Sequence, residues 1–187
     1  MDENEVPIHY VCTRKEALDI TNNHNQFWVS NCGCREAKKK CNRSRHDVCL
    51  FFYKDIASPE TVLKNLSQKE VEDIFKEAEE KHLVFRPFRN PKNMTENAGI
   101  CFCCDDCCCY FLDPNERSDK GCFIEKTNTD NCITCGKCAD LCYFNAREMN
   151  EAELLIDRSK CYGCGLCADV CQENCIEMID RKNNIED

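Results

Sequence analysis

The run Cys132-x-x-Cys135-x-x-Cys138-x-x-x-Cys142 recurs as Cys161-x-x-Cys164-x-x-Cys167-x-x-x-Cys171. Few chemistries need eight thiols at that double spacing. A cubane [4Fe–4S] cluster takes four cysteine sulfurs, and two-residue gaps let three successive side chains point at one centre. In runs of this spacing the fourth Cys ligates the other cluster. The expected ligand sets are therefore Cys132, Cys135, Cys138 and Cys171 for one cluster, and Cys161, Cys164, Cys167 and Cys142 for the second. Such a pair of centres carries electrons.

The two runs are one unit used twice, 29 residues apart: Gly136 matches Gly165, Asn145 matches Asn174 and Met149 matches Met178. Each half is too small to bury a core alone, so the halves must pack as a pseudo-twofold pair. From about Phe123 to Ile179 the sequence resembles the bacterial-type two-cluster ferredoxins. The resemblance implies two short antiparallel strand pairs, two short helices and two cubanes in place of a large apolar core. Leu154–Asp157 and Ile176–Ile179 suit its strands. Two features depart from the family pattern. Tyr143 and Gln172 stand where Pro usually follows the fourth Cys and ends the short helix. Cys175 stands where the first half has Ala146, and reads as a small buried thiol.

Composition agrees with metal chemistry. The chain has 21 Cys in 187 residues, an odd count clustered in C-x-x-C groups. That pattern argues for metal in a reducing cytoplasm rather than for a disulfide scaffold. The first residues carry no charged-then-apolar signal, and no apolar run is long enough to span a membrane. The formal charge of −9 moves to about −13 once two four-thiolate clusters of net −2 are counted. This acidity favours a redox partner protein with a basic patch and argues against nucleic acid. No nucleotide-binding glycine motif and no Ser/His/Asp arrangement is evident. All six glycines lie within two residues of a Cys, as expected of loops that need positive φ close to sulfur.

The front of the chain adds two further thiol groups. Thr13-Arg-Lys-Glu16 is a capping box opening a helix that ends near Asn22-Asn23, and Phe27-Trp28-Val29 reads as a strand. It leads into Cys32-Gly-Cys34-Arg35, with Cys41 and Cys49 following. These four Cys are expected to surround one centre, a third [4Fe–4S] cluster, with Arg35 placed to offset its negative charge. Zinc is the alternative, although zinc sites favour C-x2-4-C pairs, which Cys41 and Cys49 do not form. The basic stretch from Arg35 to Arg45 reads as a solvated face, a local counter-charge or a docking patch.

Ser58-Pro59-Glu60 has the form of a helix start, and Ser67-Gln-Lys-Glu70 is a second capping box. Val71, Ile74, Phe75 and Ala78 share one face of the helix it opens, and Leu83-Val84-Phe85 follows as a strand. This helix is too acidic to enter a DNA groove. Beyond it lies Cys101-Phe-Cys103-Cys104-Asp-Asp-Cys107-Cys108-Cys109. Alternation along an extended chain, with a turn at Asp105-Asp106, selects Cys101, Cys104, Cys107 and Cys109 as ligands of a second front centre. Cys103 and Cys108 would then face away. The C-x-C-R and C-x-C-C-x2-C-C motifs, with the capped helix between them, resemble a poorly characterised group of anaerobe iron–sulfur proteins with a C-terminal dicluster module. Likeness to the CCG domains of heterodisulfide reductases is slight, because no CCG triplet occurs.

The expected fold class is α+β: a Cys-rich, mostly helical N-terminal region before a ferredoxin-like dicluster module. The expected segments are 1–57 (C-x-C-R), 58–100 (helical spacer), 101–122 (second Cys group) and 123–187 (dicluster module). Two functions fit. One is a non-catalytic electron carrier or redox subunit with two ferredoxin-type clusters and at least one more. The other is a reductase that acts on a thiol, disulfide or small substrate at a front-half cluster.

Overall fold

The computed structural model describes residues 6–113 and 116–183. Both capping boxes form as the sequence requires. Thr13 Oγ1 accepts the Glu16 N–H at 3.2 Å and Glu16 Oε2 accepts the Thr13 N–H at 2.8 Å, opening α1 (Arg14–Asn22). β1 (Phe27–Ser30), α2 (Gly33–Lys38), β2 (Cys49–Phe51) and β3 (Lys64–Leu66) follow. Ser67 and Glu70 make the second reciprocal cap and start α3 (Gln68–Glu80), which buries Val71, Ile74, Phe75 and Ala78. β4 (Val84–Asn90) and β5 (Asn93–Cys103) form a long hairpin, and α4 (Cys109–Leu112) ends the front half.

A mostly helical front half is corrected by this structure. Its frame is a five-stranded sheet of order β3-β1-β2-β5-β4, antiparallel throughout. β2 and β3 are three residues each, too short to show a period, and the start of β5 is polar and exposed. Its strands therefore carry little apolar alternation to be read. Ser58-Pro59-Glu60 does not start a helix. The Thr61 N–H bonds the Ser58 carbonyl at 2.9 Å to close one turn, and the chain then joins the sheet where Leu66 pairs with Phe27. The sheet takes strands from the first three expected segments. Phe75 of α3 packs on Phe85 and Phe102, with ring centroids 5.4–5.5 Å apart, so helix and hairpin share one core.

The back of the chain contains β6 (Phe123–Thr127), α5 (Lys137–Asp140), β7 (Arg147–Asn150), β8 (Glu153–Ile156), α6 (Leu166–Asp169) and β9 (Ile176–Asp180). β6 pairs with β9 and β7 with β8, the two strand pairs that the resemblance implies. The repeat persists in backbone angles. Gly136 and Gly165 precede the two helices at φ 78° and 85°, and Asn145 and Asn174 follow them at 53° and 50°. Halves and front are tied together: the Val11 N–H bonds the Asp119 carbonyl at 3.0 Å, and the Gly121 N–H bonds the Tyr162 carbonyl at 2.9 Å. Among the described residues, no helix is long and apolar enough to cross a membrane.

Gly99 sits where β5 crosses between β2 and β4. A Cβ there would lie 2.1 Å from the Leu50 carbonyl and 2.4 Å from Phe88 Cζ. Gly99→Ala is therefore expected to spread the sheet at Cys49 and Cys101, costing about 1–3 kcal/mol. A lowered denaturant midpoint would register this.

Candidate metal centres

The repeat places its cysteines around two cavities. Cys132, Cys135 and Cys138 line one together with Cys171. Cys161, Cys164 and Cys167 line the other together with Cys142. The short helices α5 and α6 carry each fourth Cys past its own loop, so that it lines the cavity of the other half's three Cys.

The surroundings fit an anionic metal group. Backbone N–H groups of Thr134 and Ala146 donate to Cys132 Sγ at 3.4 Å and Cys142 Sγ at 3.3 Å. Arg147 Nη1 donates to Cys138 Sγ at 3.3 Å, and its buried Nε has no partner among the described residues. Burial pushes the Cys164 thiol up, and the Cys167 thiol up to about 12. Thiolates in this cavity therefore need a cation beside them. Glu125 pairs with Arg147 deep between the cavities, both side chains 1% exposed, and Arg158 Nε lies 3.0 Å from the other Glu125 oxygen. Cys175 is buried, as its replacement of Ala predicts, and its sulfur lies 3.4 Å from that of Cys171.

The front-half cysteines do not stay in two sequence-local sets. Eight of them, Cys32, Cys34, Cys49, Cys101, Cys103, Cys104, Cys107 and Cys108, line one cavity of ≈ 160 Å³ between α2, the hairpin and the turn after β5. Cys49 bridges Cys32 and Cys101 by thiol hydrogen bonds, and Cys101 Sγ is 3.8 Å from His9 Nε2. Cys34 contacts Cys108 and Cys109, and Cys108 contacts Cys103. Cys41 leaves Cys32, Cys34 and Cys49 to close on Cys104 and Cys107, with all three sulfurs within 4.8 Å of one another. Each group thus draws on both segments. The cause is the sheet, which lays β2 beside β5 and so brings Cys49 against Cys101.

The inward and outward assignments within residues 101–109 also change. Cys103 and Cys108 are buried and face the cavity, whereas Cys109 is exposed. Alternation fails because the chain stops being extended. β5 ends at Cys103, the expected turn follows at Asp105-Asp106, and the Cys108 N–H bonds the Cys104 carbonyl at 3.2 Å. Ion pairs hold that turn: Arg43 grips Asp105 at 2.9 and 3.0 Å, and Lys38 meets Asp106 at 3.0 Å. The basic stretch is thus a clamp on the second Cys group.

Arg35 and Arg86 are the cations of this cavity, 1% and 3% exposed. Arg35 bonds the Phe102 carbonyl at 2.9 Å and the Arg45 carbonyl at 2.6 Å, and stands beside the Cys107 sulfur. Arg86 Nη1 lies 3.4 Å from Cys108 Sγ and 3.7 Å from Cys103 Sγ. Its Nε and Nη2 have no partner among the described residues. Hydrogen bonds from Cys108 and Cys32 hold the Cys34 thiol well below its usual range, and the bond from Cys49 does the same for Cys101. Arg86, Cys103, Cys108 and His9 escaped the sequence reading. The available signal was a charge inside the apolar run Leu83-Val84-Phe85-Arg86-Pro87-Phe88.

Aromatic rings join this cavity to the nearer back cavity. Arg86 Cζ lies 4.2 Å over the Tyr110 ring, Tyr110 meets Tyr162 and Phe144 at 5.9 and 6.1 Å, and Phe144 stacks on Tyr162 at 4.6 Å. Phe144 and Tyr162 line the cavity of Cys142, Cys161, Cys164 and Cys167. Tyr143, in the place of the family's Pro, packs on Phe111 at 5.8 Å and under Arg43 at 5.4 Å.

Residues 131–175 match the family model of the 4Fe-4S dicluster domain. No curated protein and no solved structure matches the chain. The match gives residues 131–175 a ferredoxin-type 4Fe-4S segment, and with the wealth of cysteine it supports iron–sulfur binding.

Crossing has a countable consequence. Cys142→Ala with Cys161→Ala should remove one cluster, about four irons, whereas Cys142→Ala with Cys138→Ala should remove two, about eight. Iron and acid-labile sulfide per chain give the answer, and uncrossed ligation would reverse the two values.

Proposed function

We propose that this chain is an electron-transfer protein or subunit that passes single electrons through two [4Fe–4S] clusters in the back cavities and at least one further iron–sulfur centre in the front cavity. When bound, each cluster supplies one-electron redox chemistry. The chain's residues set the order. The observation carrying this reading is the ring group Tyr110, Phe144 and Tyr162, which spans from Arg86 and its thiol neighbours to the nearer back cavity. Cys132, Cys135, Cys138 and Cys171 then form the outer site, where Cys135 is exposed and Ile133 is 62% exposed. A redox partner protein with a basic patch would dock at that end, drawn by the acidic charge of the chain. A cytoplasmic setting, with neither nucleic acid nor membrane as partner, completes the proposal.

One observation favours a second reading, a reductase acting on a thiol, disulfide or small substrate. An open cleft between β1, α2 and the 58–64 loop shares His9, Gly33, Cys49 and Cys101 with the thiol cavity. Substrate in that cleft would meet the front centre directly.

Anaerobically purified protein should contain about twelve irons per chain or more, of which about eight belong to the back half. A total near eight would remove the front centre from the proposal. Reduction by a basic one-electron donor protein should slow as salt rises, because the attraction is screened. A rate indifferent to salt would argue against the docking surface. Turnover of a disulfide that fails in Cys49→Ala, with the back clusters intact, would favour the reductase.

A further inference from the structure

Cys41, Cys104 and Cys107 differ from every other thiol set here in their spacing. Cys41 Sγ lies 3.7 Å from Cys104 Sγ, and Cys104 Sγ lies 3.4 Å from Cys107 Sγ. Two thiolates on one tetrahedral ion with metal–sulfur bonds of about 2.3 Å sit about 3.8 Å apart. In a cubane held by four Cys, each iron takes one thiolate, so the protein sulfurs stand apart across the cube. The back half provides the internal comparison. Its two ligand sets line separate cavities, and neither gathers three sulfurs within 4.8 Å. Among the described residues only Cys41, Cys104 and Cys107 do so.

Charge points the same way. Arg35 is 1% exposed, bonds the carbonyls of Arg45 and Phe102 while standing beside Cys107, and forms no ion pair with a carboxylate among the described residues. A buried guanidinium without an anion is costly. Three thiolates around a divalent ion carry a net −1, which this one cation cancels. The polypeptide is also braced for the site without metal. The Asn42 N–H donates to Asp106 Oδ2 at 2.9 Å, Lys38 and Arg43 pair with Asp106 and Asp105, and Cys104-Asp-Asp-Cys107 is a C-x2-C pair.

We infer that Cys41, Cys104 and Cys107 hold a single zinc ion, separate from the iron–sulfur centres, with Arg35 as its charge partner. No fourth His, Cys, Asp or Glu among the described residues joins the three, so solvent takes the fourth position. The ion pins the loop after α2 to the turn after β5. The remaining front thiols, Cys32, Cys34, Cys49, Cys101, Cys103 and Cys108, still suffice for the iron–sulfur centre of the proposed function. The two readings therefore fail separately, one on zinc and one on iron.

The test is metal analysis of the full chain, produced anaerobically with iron and zinc both supplied. Wild type should carry about one zinc per chain. Cys41→Ser and Cys104→Ser should each lower zinc at least about fivefold, with iron and sulfide unchanged. Cys41→His, which keeps a zinc donor, should retain the ion and guards against a folding defect in the serine variants. Cobalt exchanged into wild type should show intense thiolate-to-metal absorption that Cys104→Ser abolishes. Absence of zinc from wild type, or loss of iron and sulfide in Cys41→Ser, would overturn the inference.

Discussion

Buried positive charge against sulfur is the constraint on which this structure turns. Arg35, Arg86 and Arg147 are the buried arginines among the described residues; Arg86 and Arg147 hydrogen-bond cysteine sulfurs, and Arg35 stands beside that of Cys107. A guanidinium removed from water costs several kcal/mol unless an anion meets it. Only Arg147 has a carboxylate, Glu125, and that carboxylate is shared with Arg158. At Arg35 and Arg86 the anions must be thiolates. Thiolates crowded together repel one another unless a metal stands between them. Cations, sulfurs and metal thus require one another, which is how so small a chain supports three cavities lined by Cys.

The same constraint organises the packing. The front half has an ordinary apolar core on the side of α3, where Val71, Ile74 and Phe75 meet Phe85 and Phe102. The cysteines occupy the edge of that core, carried by the ends of β2 and β5 and by the loops between elements. There the backbone is free to turn, and the Asp105 and Asp106 ion pairs hold it in place. In the back half two Cys-lined cavities stand where a core would, and apolar residues such as Ile124 and Ile176 form only small groups around them.

The repeat is symmetric where it surrounds sulfur and asymmetric where it meets the front. Tyr143 and Phe144 have Gln172 and Glu173 as their counterparts, and Tyr162 has Ile133. The aromatic members touch Tyr110, Phe111 and Arg43, whereas Gln172, Glu173 and Ile133 are exposed. Each half-unit thus gives aromatic residues to one end and exposed residues to the other. The cavity of Cys142, Cys161, Cys164 and Cys167 therefore faces the front half, while that of Cys132, Cys135, Cys138 and Cys171 faces solvent. That difference gives the two Cys cavities distinct surroundings although the residues around them repeat.

The sequence by itself determined what is local: the two capped helices, the short strands of the back half and the spacing of the doubled Cys run. Each depends on neighbours within a few residues or on a fixed spacing, and spacing is written along the chain. Of the six glycines, by contrast, only Gly136, Gly163 and Gly165 take positive φ. The front half was legible only as a supply of thiols. Which sulfur meets which depends on the register of β2 against β5, where Leu50 faces Ile100, and on ion pairs that link residues more than 60 apart. Cys103 and Cys108 turned inward because β5 gives way to a turn that alternation does not describe. Arg86 became informative only once β4 was placed in the sheet beside them. Tertiary structure decided the grouping because sulfur–sulfur distance is set by how strands pack, and composition carries no record of that.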